Sequence, residues 1–150
     1  MLRLSRKTML ALEAVLDVAY NARPEPVQSK DITARQGIPQ RYLEQVMQQL
    51  VHKGILKGVR GPKGGYTLAR ERRRITVGDV VRIVDQIDAE ADSEPVSRSE
   101  LGEKVVAPLW TDTRDAILER LDRVTMEDFC RRSRKLGIAH GTKMIRDFNI

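Results

Sequence analysis

The side chains able to do chemistry in this chain of 150 residues gather in two neighbouring stretches, and neither is a catalytic constellation. Gln40, Arg41, Glu44, Gln45 and Gln48 lie within residues 39–53, interleaved with Leu43, Val46, Met47 and Leu50. The apolar four recur at i, i+3, i+4 and i+7, the spacing of a single buried helical stripe, so the polar set occupies the other side of the same helix. Long polar side chains at the front of a helix reach base edges in a major groove, and a carboxylate such as Glu44 accepts from cytosine N4. Directly afterwards, residues 56–60 and 65–69 flank Gly61-Pro62-Lys63-Gly64-Gly65. That is the sequence form of a glycine-tipped hairpin, whose glycines permit positive φ and a close backbone approach to a duplex. Arg60 at its entrance and Lys63 at its tip carry cations suited to entering or flanking a narrow minor groove.

The charge distribution favours the same reading. The chain carries a formal +6, but residues 53–74 hold eight basic residues against the single acid Glu71, a local +7. Residues 85–103 hold seven acids against Arg98 alone, a local −6. Positive charge therefore sits on and just after the hairpin, where phosphates would be met. A solvated surface run is the plainer account of charge by itself; the adjacent helix decides between them.

Other classes fit less well. The glycine loop lacks the GxxxxGK[ST] spacing and runs into the strand-like Tyr66-Thr67-Leu68-Ala69 rather than a helix, which argues against a nucleotide loop. The sequence offers no H-E-x-x-H motif and no nucleophile–base pair, so the reading is of a protein that is not an enzyme. Aromatic residues make up 4%, too few for a single-strand stacking platform. No run approaches the roughly 18 apolar residues of a membrane span. Basic residues precede an apolar stretch at the N-terminus, but Glu13 and Asp17 interrupt it and no small-residue cleavage pattern follows, so the expected compartment is the cytoplasm. One cysteine, Cys130, excludes an internal disulfide framework.

These groups need elements to position them. Ser5 predicts the cap of a long first helix with Leu12, Val15, Leu16 and Ala19 inward, ending near Asn21 and Ala22 ahead of Pro24 and Pro26. Arg3, Arg6 and Lys7 cluster at its positive end, a place for phosphate. Ser29 precedes a short helix over 30–36 with Ile32 inward and Gly37 closing it. The turn Gly37-Ile38-Pro39 then leads into the polar-faced helix, with Pro39 at its first position and Gly54 as its stop. Two short helices joined through a glycine-containing turn, followed by a basic hairpin, form a winged helix-turn-helix. Thr76 and Asp79 predict a capping box before a fourth helix bearing Val77, Val80, Val81 and Val84.

From Asp88 to about Val106 the pattern dissolves into an acidic, serine-containing loop. After Pro108, Leu109, Thr113, Ala116, Ile117, Leu121 and Val124 recur at heptad-like spacing. Such a stripe outside the helix-turn-helix core calls for a partner, most simply the same helix of a second subunit; packing on its own domain is the alternative. Thr125 predicts a cap for a last short helix through Phe129, and the basic end is expected to fray. The predicted fold class is mainly α with a small β-hairpin wing. Its parts are a winged helix-turn-helix DNA-binding domain over 1–87, an acidic linker or sensor loop over 88–107, a dimerisation helix region over 108–130 and a basic C-terminal tail over 131–150.

Four stretches together resemble the Rrf-two family of bacterial transcription regulators: Leu4-Ser5-Arg6-Lys7, Tyr42-Leu43-Glu44-Gln45, the wing from Val59-Arg60-Gly61-Pro62 through Lys63-Gly64-Gly65-Tyr66, and Val77-Gly78-Asp79-Val80. The resemblance covers residues 1 to about 125. It implies a homodimeric winged-helix regulator on an imperfect palindrome, often a repressor. It further implies that Gln40, Arg41, Tyr42, Glu44 and Gln45 face the major groove and Arg60 the minor groove. The candidate DNA-contact set is then completed by Ser5 and Lys7 in the first helix and by Gly61, Lys63, Gly64 and Tyr66 in the wing. The candidate dimerisation set is Leu109, Thr113, Ile117, Leu121 and Val124.

The chain departs from the family where a sensor is expected. Members that sense iron–sulfur status or nitric oxide carry three cysteines between the closing helix and the dimer helix. Here that interval has neither cysteine nor histidine, and Ser93, Ser97 and Ser99 are its small polar residues. Hydroxyls are not ordinary cluster ligands, so no cofactor is expected. Two readings stay open: a cluster-free member tuned by a metabolite or a co-regulator protein, and an iron–sulfur cluster held by non-standard ligands from the acidic interval with Cys130 or a histidine. Cys130 precedes Arg131 and Arg132, whose charge would lower a thiol pKa; a redox-sensitive thiol bridging two subunits and an inert thiol both remain open. His52 is expected to meet the last helical carbonyls or phosphate rather than metal, and His140 carries no signal.

Overall fold

In a computed structural model, which describes residues 4–22, 24–91 and 98–139, the centre of the packing is helix α1 (Arg6–Asn21). Ser5 caps it, its hydroxyl accepting from the Thr8 amide at 3.1 Å. Ala11, Ala14, Val15 and Val18 are completely buried, because small residues at helical spacing let α1 lie close to several neighbours at once. It meets α2 (Ser29–Gln36), α3 (Gln40–His52), α4 (Val77–Ala91), α6 (Met126–Lys135) and strand β2 (Gly65–Leu68).

Helix α2 begins at Ser29 with Gln28 in the cap position and no side-chain cap bond, so Ser29 is the first helical residue rather than the cap. Pro39 likewise caps α3 from outside. Leu43, Val46, Met47 and Leu50 are the buried residues of α3, as their spacing dictates. Strand β1 (Leu56–Val59) pairs antiparallel with β2, Leu56 opposite Leu68 and Val59 opposite Gly65. The wing has a third point of support. The Val27 amide donates to the Tyr66 carbonyl at 2.9 Å, and the Val27 carbonyl accepts from the Tyr66 amide at 2.8 Å. A Cβ on Gly65 would stand 2.3 Å from the Val27 carbonyl oxygen, so only glycine lets the segment before α2 approach this closely.

A 3-10 turn over Arg72–Arg74 and the reciprocal Thr76–Asp79 capping bonds, both 3.0 Å, launch α4. Beyond it the expected loop over 88–107 is shorter at both ends. Helix α4 continues to Ala91, and helical structure resumes at residue 100; Ser93 and Ser97 lie outside the described residues. Residues Gly102–Val106 form a π-type turn that runs without a break into α5 (Ala107–Leu121). Pro108 explains the widening: it has no N–H and its ring crowds the preceding turn, and the Ala107 amide reaches back five residues to Gly102. That register accommodates the ring without breaking the rod. Proline here widens a helix that was expected to start with it.

Helix α6 is also longer than expected. Thr125 and Asp128 form a reciprocal capping box, 2.9 and 3.1 Å, and ten residues follow. The Val77 amide bonds to Val124 and the Met126 amide to Ile75, each at 2.8 Å, so the start of α4 and the start of α6 are stitched together. Met126 and Cys130 are completely buried and complete the core. The chain as far as residue 139 is held rather than frayed, since the Tyr20 hydroxyl donates to the Ile138 carbonyl at 2.5 Å; residues 140–150, His140 among them, lie outside the described residues.

Candidate nucleic-acid interface

Gln40, Arg41, Glu44 and Gln45 are all exposed on the outer side of α3. Two of them are held in place. The Thr33 hydroxyl of α2 donates to Gln40 Oε1, and Gln40 Nε2 donates to Glu44 Oε1, each over 3.0 Å. Helix α2 is locked to α1 by Asp17, whose carboxylate is fully buried. Asp17 accepts two bonds from Arg35, at 2.9 and 2.7 Å, and one from Gln36 at 2.8 Å. The hydrogen bond to Asp17 outweighs burial and raises the Arg35 guanidinium pKa above its ordinary value.

Tyr42 belongs to a different set. Its hydroxyl donates to the Lys7 carbonyl of α1 at 2.5 Å. Burial first, and then the charge of Asp88, push its phenol pKa up to about 12. In the free protein Tyr42 therefore braces α3 against α1, its hydroxyl proton already engaged by the Lys7 carbonyl. Lys7 Nζ lies 3.6 Å from Asp88, and the Ser5 hydroxyl is committed to capping.

Arg60, Gly61, Pro62 and Lys63 are exposed at the wing tip. Gly61 takes a φ of 111°, open to glycine alone. Gly64 is buried, its amide bonding to Gly61 at 2.9 Å, and a Cβ there would lie 2.2 Å from the Val59 carbonyl. Tyr66 is half-buried and packs on the core. Gly64 and Tyr66 thus shape the wing, and Arg60 and Lys63 arm it. The positive segment also divides. Arg70 lies 3.9 Å from Asp79, Arg73 pairs with Glu71, and Arg72 bonds Glu127 of α6. Lys53, Lys57, Arg60, Lys63 and Arg74, all exposed, carry the outward charge.

Between wing and α2 lies an open cleft of about 550 Å³, lined by Gln28, Ser29, Lys30, Arg60, Pro62 and their neighbours. The first amides of a helix lack intrahelical acceptors and carry its positive end, so this cleft presents α2's N-terminus, Lys30 and Arg60 together. Gln28 and Lys30 were missed in the sequence. Only the fold brings α2's start against the wing, where Gln28 Nε2 reaches the Pro62 carbonyl at 3.4 Å.

The remaining candidates separate in the same way. On α5, Leu109, Trp110 and Ile117 are 69%, 57% and 44% exposed, and Leu101, Val105 and Val106 just before it are exposed as well. Thr113 is half-buried, and Leu121 and Val124 pack against the chain's own core. Leu118, absent from the expected stripe, is the buried residue of α5. Cys130 has the surroundings of the inert thiol, one of the two readings left open. It is completely buried, and desolvation raises its thiol pKa, against a smaller opposing pull from Arg72. Arg131 and Arg132 point outward and do not supply the lowering expected of them.

A helix-turn-helix with an exposed polar reading helix and a basic wing defines a winged-helix DNA-binding transcription regulator, not an enzyme. Residues 4–132 match the Rrf2 family, described as iron-dependent transcriptional regulators, and the chain belongs to that family. It is 34% identical to the HTH-type transcriptional regulator IscR of Pectobacterium atrosepticum over 139 residues, 92% of this chain and 85% of that protein. The solved structure of T. potens IscR superposes with a TM-score of 0.72 at 34% identity, covering 95% of this chain and 96% of that one. That of CymR, the global cysteine regulator of B. subtilis, gives 0.68 at 33%, covering 88% and 98%.

The family description names iron, and residues 92–97 of the acidic interval and His140, expected as non-standard ligands, lie outside the described residues. Among the described residues no three histidine, cysteine or carboxylate side chains gather around a point. The Arg72 guanidinium lies near the one thiol, and its charge pulls the thiol pKa down, against the larger effect of burial. No helix of the described residues is long and apolar enough to cross a membrane.

Proposed function

We propose that the chain is a cytoplasmic repressor that acts as a homodimer on an imperfectly palindromic duplex operator. In this reading α3 enters the major groove, with Gln40, Arg41, Glu44 and Gln45 toward base edges. Arg60 and Lys63 follow the adjacent minor groove, and a phosphate occupies the cleft between Lys30 and Arg60. The observation that carries the reading is the continuity of these parts. The exposed polar side of α3, the positive end of α2 and the cationic wing tip are held on one rigid frame by the Asp17 clamp and the Val27–Tyr66 bridge. Two copies follow from the apolar length of α5 left uncovered in one chain. The signal is a metabolite or a co-regulator protein rather than a cluster, since the donor set offers no thiolate pair.

Selection of duplexes from a random pool, followed by affinity measurement across salt, tests this. With several phosphate contacts per dimer, log affinity falls linearly with log salt, losing about 10³-fold or more between 50 and 200 mM. Affinity that ignores salt, or selection that yields no shared sequence, would overturn the reading. Protein purified without oxygen is expected to be colourless, and chelator to leave operator binding unchanged.

A further inference from the structure

Resting on that DNA-reading role, we infer that Thr33 of α2 is a positioning residue that sets base selectivity through Gln40 and Glu44. The chain of contacts crosses the helix-turn-helix. Thr33 Oγ1 donates to Gln40 Oε1, and Gln40 Nε2 donates to Glu44 Oε1, both over 3.0 Å. Together they fix which way the amide points. Reversed, Gln40 would set its carbonyl oxygen against the Glu44 carboxylate, two acceptors facing each other.

What is left for a ligand follows from that orientation. Gln40 keeps one N–H and one lone pair, and Glu44 keeps one oxygen with no bond to Gln40. A glutamine able to swing spans adenine N6 and N7 with its whole amide. Held at both ends, it offers a fixed donor and acceptor beside a fixed carboxylate, a pattern biased toward the cytosine amino group at Glu44. Gln40 is the first residue of α3, where a side chain has least help from its own helix in holding one position. Thr33 supplies that help from a rigid element, since Arg35 and Gln36, the next turn of α2, are clamped to buried Asp17.

The test compares Thr33→Val, which keeps the β-branched shape and removes the hydroxyl, with Thr33→Ser, which restores it. Full-length proteins are titrated against the selected operator and every single-base variant of it, with melting temperature recorded in parallel. The expected result for Thr33→Val is a change in discrimination of about two- to tenfold, the worth of one hydrogen bond. It is confined to the base pairs that Gln40→Ala and Glu44→Ala also alter, with the salt slope and melting temperature near the parent's. Thr33→Ser recovers the parental profile. Parental discrimination at every base pair in Thr33→Val overturns the inference. So does a uniform loss of affinity that tracks a lowered melting temperature, which marks a merely structural role. Failure of the DNA-reading role itself shows earlier and separately, as a parent protein without sequence preference.

Discussion

Residue by residue, the groups able to touch DNA sort by whether their polar ends are already engaged. Arg60 is exposed on the wing beside the cleft that gathers α2's positive end, so its partner in the proposed complex is the nucleic acid. Glu44 has one oxygen bonded to Gln40 and its other oxygen on the exposed side of α3. Their losses should therefore differ in kind. Arg60→Ala is expected to weaken binding to all duplexes about tenfold or more and to reduce the salt slope by about one, as for the loss of one phosphate-bound cation. Glu44→Ala should cost about 1–3 kcal/mol of discrimination at one base pair while leaving the salt slope intact. Titrations of both variants at several salt concentrations separate the two, and identical profiles would sink the docking geometry. Cys130 shows why sequence neighbours are a poor guide to a side chain's surroundings. Neighbours in sequence on a helix point in different directions, and Arg131 and Arg132 are exposed while the thiol is buried. Arg72, fifty-eight positions away, is the cation that matters.

Between elements, the decisive contacts join helices that sequence spacing cannot relate. The stripe on α3, the reciprocal cap of α4, the Thr125 cap of α6 and the glycine turn of the wing were all legible, because each is decided within a few residues by helical period, capping or φ. Tyr42 was not. Its partner is a main-chain carbonyl thirty-five residues earlier, invisible to any local pattern, and its polar tip at the front of the reading helix looked like a base contact. The consequence is measurable in the alkaline range. The Tyr42 phenol rises from 10.0 to about 12 in the fold. Below pH 10 it is protonated whether the chain is folded or not. Between 10 and 12 the unfolded chain releases a proton that the folded chain retains, so stability falls as pH rises through this window. Tyr42→Phe is expected to cost about 1 kcal/mol at neutral pH for the lost hydrogen bond and to lack this alkaline loss. The gap in melting temperature between parent and variant should shrink from pH 9 to pH 11.5. A gap that stays constant would mean that the phenol does not act as the brace. Pro108 belongs to the same scale: a proline reads as a helix start, and only the π register before it reveals that the rod began earlier.

For the whole molecule, the unsolved surface is that of α5. A soluble chain seldom leaves a long apolar helix face open to water, yet Leu101, Val105, Leu109, Trp110 and Ile117 are between 44% and 74% exposed. The helix itself is tethered, Leu118 being buried on one side while Arg82 and Arg114 bond Asp122 and Asp85 on the other elements of the junction. The face is therefore presented by a fixed rod rather than waiting to fold back. In the proposed homodimer a second copy related by a two-fold axis would cover it with the same residues, and the two reading helices would then meet two half-sites of a palindrome. The sequence-level stripe named Leu121 and Val124 as part of this contact. Both pack on the chain's own core, which moves the expected centre of the interface toward the N-terminal half of α5. The double variant Leu109→Glu with Ile117→Glu should sediment as a monomer and keep its melting transition, since neither side chain contributes to the described core. It should bind a single half-site as the parent does at equal subunit concentration, and lose the extra affinity the parent gains from a full palindrome. Placing glutamate at 121 and 124 instead should unfold the domain before it separates the subunits. If the 109 and 117 variant remains dimeric, the partner surface lies elsewhere and the exposed face of α5 is free to receive the co-regulator.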